Sequence, residues 1–389
     1  MLHMFESGVL TVYLSGHIDT SNAPQTEKDV FALVQQYAPA QVILDMEELD
    51  YISSSGLRTI LKLRQRFSGL KLINASTEVY EILDMTGFTE MMTVEKAFRR
   101  FDITGCQMIG KGANGKVYRY DRDTIVKVYN PNADLDEIKR ERELSRTAFV
   151  LGVPTAIPYD VVKVGDCYGS VFELLNAKSF DEMMIDDPTN LEFVVKKTVE
   201  IAKILHSTEA PEHLPHQQDI TLSWLDIVEP YLEAADFAKL KRLIEELPEK
   251  RTMLHGDLHI KNIMQQNDDT LLIDLDTLCS GHPLYEFAFM FNAYKGFGIL
   301  DENEVERFLG IPAVLVHRIW SRTLEVYFGT DDTAYLSMIE DKCKIIGYLR
   351  LMRRVITKGR YDTKEGRALF NACKDKIHEL LPKYDTLDF

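Results

Sequence analysis

The chain has 389 residues, of which 45% are hydrophobic and 27% charged, and its formal net charge is −16. This length exceeds the usual size of one domain, and the composition excludes a wholly disordered or collagen-like chain. The acidic balance disfavours a nucleic-acid-binding surface over the whole molecule, so we expect no nucleic-acid partner.

The chain contains five cysteines. Their odd number and the lack of a Cys-x-x-Cys pair suggest neither a disulfide framework nor a zinc ribbon. No stretch reaches the ~18 consecutive apolar residues that a membrane helix needs. The first residues lack the basic and apolar segments of a secretory signal. We therefore expect a cytoplasmic protein with more than one domain and no membrane partner.

The first hundred residues alternate strand and helix patterns. Runs of β-branched and aromatic residues predict strands over residues 9–14, 42–44 and 70–73, and apolar residues at helical spacing predict helices between and after them. Such alternation implies an α/β domain in which helices cover a sheet. We place this domain at residues 1–98.

A serine-rich segment, Ser53-Ser54-Ser55-Gly56, leads from a strand into a helix. A serine hydroxyl at a helix start satisfies unpaired N–H groups of the first turn, and a plain capping role is the common one. The same helix end also favours a phosphate. Phosphorylation of Ser55 would add about two negative charges to this surface.

Residues 9–97 resemble the STAS domain of anti-sigma-factor antagonists. The matching pieces are LSGHIDT at 14–20, ISSSGL at 52–57, NAS at 74–76 and TGF at 86–88. In that family the serine directly before the glycine is phosphorylated, which implies Ser55 here and an anti-sigma-type serine kinase or another protein as partner. The family usually has an aspartate two residues before that serine, where this chain has Ser53.

A glycine-rich pattern of the form G-x-G-x-x-G-x-V starts the second part of the chain. Closely spaced glycines let backbone N–H groups approach phosphates without side-chain clashes, although a plain hairpin turn explains the pattern equally well. Lys127, on a predicted strand twelve residues after the last glycine, strengthens it, because a kinase needs an ammonium there for the α- and β-phosphates of ATP. The pattern consists of Gly110, Gly112, Gly115 and Val117.

The charged run over residues 136–144 predicts an exposed amphipathic helix, most of which is explained as a solvated face. One of its glutamates could instead pair with Lys127 and hold it toward a nucleotide. We choose Glu143 over Glu141 because Glu143 directly precedes the apolar Leu144.

Three polar residues in the order Asp257, Asn262 and Asp274 form the most specific pattern. The asparagine follows the first aspartate by five residues, and the second aspartate follows twelve residues later, beyond a predicted hairpin turn at 266–269. Phosphoryl transfer needs one carboxylate to orient and deprotonate the attacking hydroxyl, and oxygen ligands for Mg²⁺. Each residue alone has a structural explanation, but the ordered set with the glycines and Lys127 favours this chemistry.

From Gly110 to the C-terminus the chain resembles the aminoglycoside phosphotransferase/choline kinase family, the small-molecule branch of the protein-kinase-like fold. The matching pieces are HGD at 255–257 with Asn262, ID at 273–274, and HPLYEFA at 282–288, where the family has D-P-x-x-D-L-A. The departures are His282 and Glu286, both normally aspartate, and Phe287 in place of leucine.

This second resemblance implies a bilobal α+β fold, with an N-lobe at residues 104–178 and a mainly helical C-lobe at 179–389, and it implies ATP and Mg²⁺ as cofactors. The implied roles are a catalytic base, two Mg²⁺ ligands, a lysine–glutamate pair, and a hinge at 172–175 beside adenine. In that order, the residues are Asp257; Asn262 and Asp274; Lys127 and Glu143; and Glu173 and Leu175 of the hinge.

The leading hypothesis is an ATP/Mg²⁺-dependent phosphotransferase with a fused STAS regulatory domain, acting on a hydroxyl of a small molecule in preference to a protein. The alternative is a signalling switch in which the kinase domain or a separate serine kinase modifies Ser55. The third hypothesis is a non-catalytic nucleotide-binding module. The presence of all four residues Lys127, Asp257, Asn262 and Asp274 argues against it.

The sequence says little about the acceptor. Acidic runs at 181–187 and 301–306 could attract a cationic substrate, and a basic stretch at 342–360 could lie near an acidic or phosphate-bearing partner. Solvated faces explain both more simply.

Overall fold

The computed structural model describes residues 1–112 and 114–389, which form two compact units. The first comprises Met1–Asp102 with Val162–Asp166, and the second comprises Ile103–Val161 with Cys167–Phe389. Among the helices so described, none is both long and apolar enough to cross a membrane.

The first unit contains a five-stranded sheet in the order β1-β2-β3-β4-β5. β1 and β2 are antiparallel, and the pairs from β2 to β5 are parallel. Parallel neighbours need crossover connections, and helices supply them. The predicted α/β sheet with helices is therefore confirmed. Its elements are β1 His3–Glu6, β2 Val9–Ile18, α1 Ala23–Tyr37, β3 Gln41–Ile52, α2 Ser54–Arg66, β4 Lys71–Ala75, α3 Thr77–Met85, α4 Phe88–Met91 and β5 Thr93–Lys96.

The strand predicted at 42–44 is much longer in the structure, because β3 continues to Ile52. Burial alternates only at the start of β3, and the register with β2 shifts twice along the pair. These irregularities expose several acidic residues of β3. The sequence of β3 therefore lacks the regular alternation of apolar and polar residues by which a strand is predicted. The longer strand places Ile52 directly before the serine segment.

The second unit begins with a sheet in the order β6-β7-β8-β10-β9. The pairs β6–β7, β7–β8 and β8–β10 are antiparallel, so the predicted hairpin after residue 104 is confirmed. The elements are β6 Gln107–Lys111, β7 Gly115–Arg119, β8 Thr124–Tyr129, α5 Leu135–Val150, β9 Pro158–Val164 and β10 Cys167–Glu173, and residues 162–164 at the end of β9 are grouped with the first unit.

The remainder of this unit is mainly helical, as predicted. Small strands pair in the sets β11-β13-β14 and β12-β15 among the helices. Every residue of α10 is buried, as expected of a helix at the centre of a core. The elements are β11 Lys178–Ser179, α6 Phe180–Asp186, α7 Leu191–Ser207, α8 Gln217–Val228, α9 Ala234–Glu245, β12 Thr252–Leu254, β13 Ile263–Gln266, β14 Asp269–Leu272, β15 Cys279–Gly281, α10 Pro283–Tyr294, α11 Asn303–Leu309, α12 Ala313–Phe328, α13 Thr333–Thr357 and α14 Lys364–Leu380.

The predicted turn at 266–269 is confirmed as the connection between β13 and β14. Asn267 adopts a φ of 53°, a left-handed conformation that asparagine tolerates well in tight hairpin turns. This hairpin separates Asn262 from Asp274 along the chain and returns them to the same end of the β13–β14 pair.

Candidate active site

A cavity of about 490 Å³ lies in the second unit. Its wall contains the glycine-rich hairpin, Lys127, the segment 172–175 and both residues expected to bind Mg²⁺. The structure thus brings together side chains that are up to 164 positions apart in the sequence, between Gly110 and Asp274. Of the residues predicted for nucleotide and metal, those that line the cavity are Gly110, Gly112, Gly115, Val117, Lys127, Glu173, Leu175, Asn262 and Asp274.

The glycines of the hairpin are explained by different structural requirements. A Cβ atom on Gly115 would lie 2.2 Å from the carbonyl oxygen of Val128, so the pairing of β7 with β8 itself requires glycine there. A Cβ atom on Gly112 would have no neighbour within 4 Å. The sheet therefore leaves Gly112 unexplained, and close approach of a ligand remains the reason expected from the sequence. Ala113 lies outside the described residues.

Lys127 is held between two carboxylates. Its Nζ atom lies 2.7 Å from Oε1 of Glu141 and 3.2 Å from Oδ1 of Asp274. The other oxygen of Glu141 accepts a hydrogen bond of 2.9 Å from the hydroxyl of Tyr129. Burial alone would lower the pKa of Lys127, but Asp274 and Glu141 outweigh it and raise that pKa above its ordinary value. The ammonium is therefore charged at neutral pH and aimed into the cavity.

The prediction that Glu143 pairs with Lys127 is wrong. Glu143 is 56% exposed and pairs with its neighbours on α5, at 2.8 Å from Arg142 and 3.6 Å from Arg146. Adjacent residues on a helix point about 100° apart, so a position beside an apolar residue does not share its face. The buried residues of α5 recur at intervals of three and four, a spacing that selects Glu141: Ile138, Glu141, Leu144, Ser145 and Ala148.

The loop that carries Asp257 follows β12 and is anchored from below by α10. Gly256 has a φ of 79°, and a Cβ atom there would lie 2.5 Å from the carbonyl oxygen of Thr277. The buried carboxylate of Glu286 accepts the backbone N–H groups of His255 at 2.6 Å and of Gly256 at 3.2 Å. Glutamate in place of the family's aspartate therefore still reaches the loop.

The carboxylate of Asp257 is 43% exposed and lies beside two nitrogen-bearing side chains. Nε2 of His259 is 3.6 Å from Oδ2, and Nη2 of Arg350 is 4.0 Å from Oδ1. Burial favours a higher pKa for Asp257, but the neighbouring His259 ring and the charge of Arg350 lower that pKa to about 2. Asp257 is therefore ionised at neutral pH.

Neither of these two neighbours of Asp257 was predicted from the sequence. Nη1 of Arg350 also donates to the carbonyl oxygen of Gly256 at 3.1 Å, and its guanidinium lies 4.1 Å from the ring centroid of Phe289. Burial lowers the pKa of Arg350. The only sequence signal was that Arg350 belongs to the basic stretch, which gives no indication that α13 passes beneath the loop.

The oxygen donors suit a hard divalent cation. The amide nitrogen of Asn262 donates to the carbonyl oxygen of Asp257 at 2.9 Å, which leaves Oδ1 as a free acceptor. Asp274 has a φ of 63°, a left-handed conformation that costs a non-glycine residue about 1 kcal/mol. Within residues 1–112 and 114–389, no group of three or more His, Cys, Asp or Glu side chains is arranged to hold a metal. A cation here would complete its shell with phosphate or water oxygens, as Mg²⁺ does at kinase sites.

Asp276, which received no role from the sequence, lies two residues beyond Asp274. Burial, and next the charge of Asp274, raise the pKa of Asp276 to about 7. A cation bound near Asp274 would favour the ionised form of Asp276 as well.

A second departure from the family pattern, His282, is the N-cap residue directly before α10. Its Nδ1 atom accepts the N–H of Leu284 at 3.1 Å, and Nε2 lies 3.0 Å from Oδ1 of Asp388. The ring also packs 5.2 Å from that of Phe389. Histidine thus performs the N-cap role that an aspartate would have at this position.

In the first unit, Ser53 rather than Ser55 is the N-cap of α2. Its hydroxyl accepts the N–H groups of Ser55 at 3.2 Å and of Gly56 at 3.4 Å. Serine and aspartate are comparable N-caps, so the departure at Ser53 keeps the structural role of the family's aspartate. Ser55 lies in the first turn of α2 and lines an open groove together with Arg58 and Lys62.

The comparisons with known proteins divide the chain in the same two parts. The model of the "Phosphotransferase enzyme family" (APH) matches residues 106–318, and the STAS domain model matches residues 5–100. The anti-sigma factor antagonist BtrV of Bordetella bronchiseptica is 36% identical over 91 residues, 22% of this chain and 78% of that protein. The anti-sigma F factor antagonist of Paenibacillus polymyxa is 26% identical over 91 residues, with the same shares of the two chains.

Solved structures similar to this chain include a choline/ethanolamine kinase family protein of Mesorhizobium loti, with 14% identity, a TM-score of 0.47, and coverage of 71% of this chain and 87% of that one. ADP-bound aminoglycoside phosphotransferase APH(2'')-Ib has 15% identity, a TM-score of 0.47, and coverage of 78% and 96%. The predicted fold class, a STAS-like α/β domain followed by a protein-kinase-like α+β domain, is confirmed. Because the phosphotransferase match covers more than half of the residues, the chain belongs to the phosphotransferase enzyme family, and its N-terminal part is a STAS domain of the anti-sigma-factor-antagonist kind.

Proposed function

We propose that the protein is an ATP- and Mg²⁺-dependent phosphotransferase that transfers the γ-phosphoryl group to a hydroxyl of a small molecule. The observation that carries this proposal is Lys127, held between Glu141 and Asp274 in the wall of the cavity that also contains the glycine-rich hairpin. A charged ammonium, two oxygen donors and a glycine backbone in one cavity are the parts that a triphosphate requires.

Each residue has a distinct part in this proposal. Lys127 neutralises the α- and β-phosphates, and the backbone of Gly110, Gly112 and Gly115 approaches the phosphates closely. Asn262 and Asp274 would hold Mg²⁺, which when bound neutralises charge on the phosphate oxygens. Catalysis then rests mainly on positioning and on charge neutralisation.

Asp257 orients the acceptor hydroxyl and accepts its proton. Among the described residues, Asp257 is not part of the cavity wall, whereas Asn262, five positions later, is. A hydroxyl bound at Asp257 would therefore approach a nucleotide in the cavity from outside it. The loop amides held by Glu286 and the bond from Asn262 to the backbone of Asp257 keep the carboxylate in place.

In this proposal the adenine ring binds beside the segment 172–175. The backbone there is fixed, because the N–H of Glu173 donates to the carbonyl oxygen of Ile157 at 3.0 Å and that of Leu174 donates to Asp123 at 2.8 Å. The cavity is also lined by apolar side chains, which suit a flat aromatic base. These are Val117, Ile125, Ala156, Leu175 and Met264.

ATP turnover over a broad panel of hydroxyl compounds tests the proposal. Asp257→Asn keeps the shape of the side chain but removes the base, so we expect at least about a 100-fold loss of turnover with nucleotide binding intact. Asp268→Asn, in the exposed turn between β13 and β14, is the matched control and should retain full activity. Near-normal turnover in Asp257→Asn would defeat the assignment.

A second function is supported by the placement of Ser55. We propose that Ser55 is phosphorylated, by the kinase unit in cis or by a separate serine kinase, and that this controls partner binding through the STAS domain. The first turn of α2 supplies backbone donors for a phosphate, and Arg58 and Lys62 line the same groove.

Intact-mass analysis of the full chain tests this second proposal after incubation with ATP and Mg²⁺, alone and with candidate partner kinases. A gain of one phosphoryl group that disappears in Ser55→Ala and persists in Ser54→Ala is the expected result. No adduct under any of these conditions would remove the proposal. We place both functions in the cytoplasm, because all five cysteines are free thiols.

A further inference from the structure

Helix α13, which passes beside Asp257, carries two arginines on one face. Arg350 lies 4.0 Å from Asp257, and Arg354 follows one helical turn later, on the same face of α13. Arg354 is exposed, and within residues 1–112 and 114–389 no carboxylate forms an ion pair with it. We call Arg350 and Arg354 the arginine pair.

Aromatic rings connect Arg354 back to the catalytic loop. Its guanidinium lies 5.9 Å from the ring centroid of Phe297, which packs 4.9 Å from that of Phe308. Phe308 in turn packs edge-on against the ring of His259, at 5.1 Å. Since His259 lies 3.6 Å from Asp257, these contacts link Arg354 through two phenylalanine rings to a neighbour of Asp257.

The acidic residues considered for a cationic acceptor mostly form ion pairs or hydrogen bonds with other residues of this chain. At 301–306, Asp301 lies 3.3 Å from Arg307, and Glu304 pairs with the same arginine. Glu302 lies 3.3 Å from His317, and Glu306 accepts the N–H of Ala313 at 3.3 Å. Each of these carboxylates therefore has a partner among residues 307–317.

The acidic run at 181–187 behaves in the same way with one exception. Asp186 pairs with Lys178 at 2.6 Å, and Asp187 accepts two hydrogen bonds from Thr189. Glu182 closes the capping box of α6. In Asp181, which is half-buried, the Oδ1 atom is buried and has no hydrogen-bond partner in the described structure.

We infer that the phosphoryl acceptor is an anionic hydroxyl compound, whose carboxylate or phosphate group is bound by the arginine pair while its hydroxyl lies at Asp257. This inference rests on the proposed function and names its substrate class. Guanidinium groups bind carboxylates and phosphates through two parallel hydrogen bonds, and an arginine supported by an aromatic ring is well ordered for this role. Arg350 is the inner member, which also holds the loop, and Arg354 is the outer member, which sets the charge preference.

The structural alternative for Arg354 is a cation that stabilises the C-terminus of α13, which ends at Thr357. That role would affect stability and leave acceptor kinetics unchanged. Arg367 on α14 offers a matched control, because it is an exposed arginine whose guanidinium lies 5.6 Å from the ring of Tyr361.

The test uses the full chain and two sets of acceptors that differ in charge but share hydroxyls. The first set is glucosamine, glucose, glucuronate and glucose 6-phosphate, and the second is choline, glycerol, glycerate and glycerol 3-phosphate. Product formation is measured by mass spectrometry and ATP consumption by a coupled assay. Glucuronate and glycerate report a carboxylate, whereas the two phosphate esters report a phosphate.

We expect kcat/KM for an anionic member to exceed that of its neutral analogue by about tenfold or more, as a charge-assisted contact would give. The preference should weaken as salt is added. Arg354→Glu should remove the preference by raising the KM for the acceptor at unchanged KM for ATP, and Arg354→Lys should retain part of it. Arg367→Glu should leave the preference unchanged.

Three results would overturn the inference: preference for a neutral or cationic member, a preference that Arg354→Glu leaves intact, or no product from either set while ATP hydrolysis that requires Asp257 continues. That last result would leave the phosphotransferase assignment standing. ATP turnover that is unaffected by Asp257→Asn would instead overturn the proposed function itself, so the two failures are distinguishable.

Discussion

Replacing Glu141 by glutamine tests how Lys127 is held. The substitution keeps the size of the side chain but removes the charge that faces the ammonium at 2.7 Å. Because the Glu141 carboxylate is buried, the lost contact is a charge-assisted hydrogen bond, worth about 1.5–3 kcal/mol. Lys127 keeps Asp274 at 3.2 Å, so we expect an effect at the lower end of that range.

In kinetic terms, this loss corresponds to a fall of about tenfold or more in kcat/KM for ATP. The exposed pair of Glu143 is worth well under about 1 kcal/mol, so Glu143→Gln is the control on the same helix. Steady-state ATP turnover and thermal unfolding are measured for both variants. Equal effects of the two substitutions, or a larger effect of Glu143→Gln, would refute the assignment of Glu141.

The remaining predictions concern the hairpin and the catalytic loop. Gly115→Ala should lower the free energy of unfolding by about 1–3 kcal/mol in chemical denaturation, because a Cβ atom would meet the carbonyl oxygen of Val128, whereas Gly112→Ala should leave stability unchanged. Glu286→Ala should reduce kcat more than the KM for ATP, because it frees two amides of the catalytic loop; an unchanged kcat would contradict this anchoring role. The pKa of Asp257 is lowered from 3.8 to about 2, so its ionised form stabilises the folded state above pH 3.8, and this contribution is lost as the pH falls toward 2. Urea unfolding should therefore show wild type losing stability relative to Asp257→Asn over that interval, and parallel curves would be inconsistent with the shift.

The alternating elements of the first unit and the order of its strands and helices could be predicted from periodicity alone. Periodicity failed for β3, because irregular register exposes acidic residues in a strand that runs to Ile52. The Glu141 assignment failed for a different reason. The glutamate was chosen because it directly precedes an apolar residue. The helical spacing of the buried residues from Ile138 to Ser145 is what decides which side chain faces the sheet.

The residues of the cavity were predictable because their order and spacing follow a known pattern. The surroundings of Asp257 were not. Arg350 lies 93 positions from Asp257 in the sequence, and only the path of α13 beneath the loop brings the two together. Likewise, the sequence could not show that Ser53 performs the capping role and leaves Ser55 in the first turn of α2.

Calorimetric titration with ATP, with and without Mg²⁺, tests most directly whether the distant polar residues form one nucleotide site. Wild type and Asp257→Asn should bind ATP much more tightly when Mg²⁺ is present, and Asp274→Ala should lose this dependence. ATP binding that is indifferent to Mg²⁺, or a dependence that Asp274→Ala leaves intact, would contradict the account.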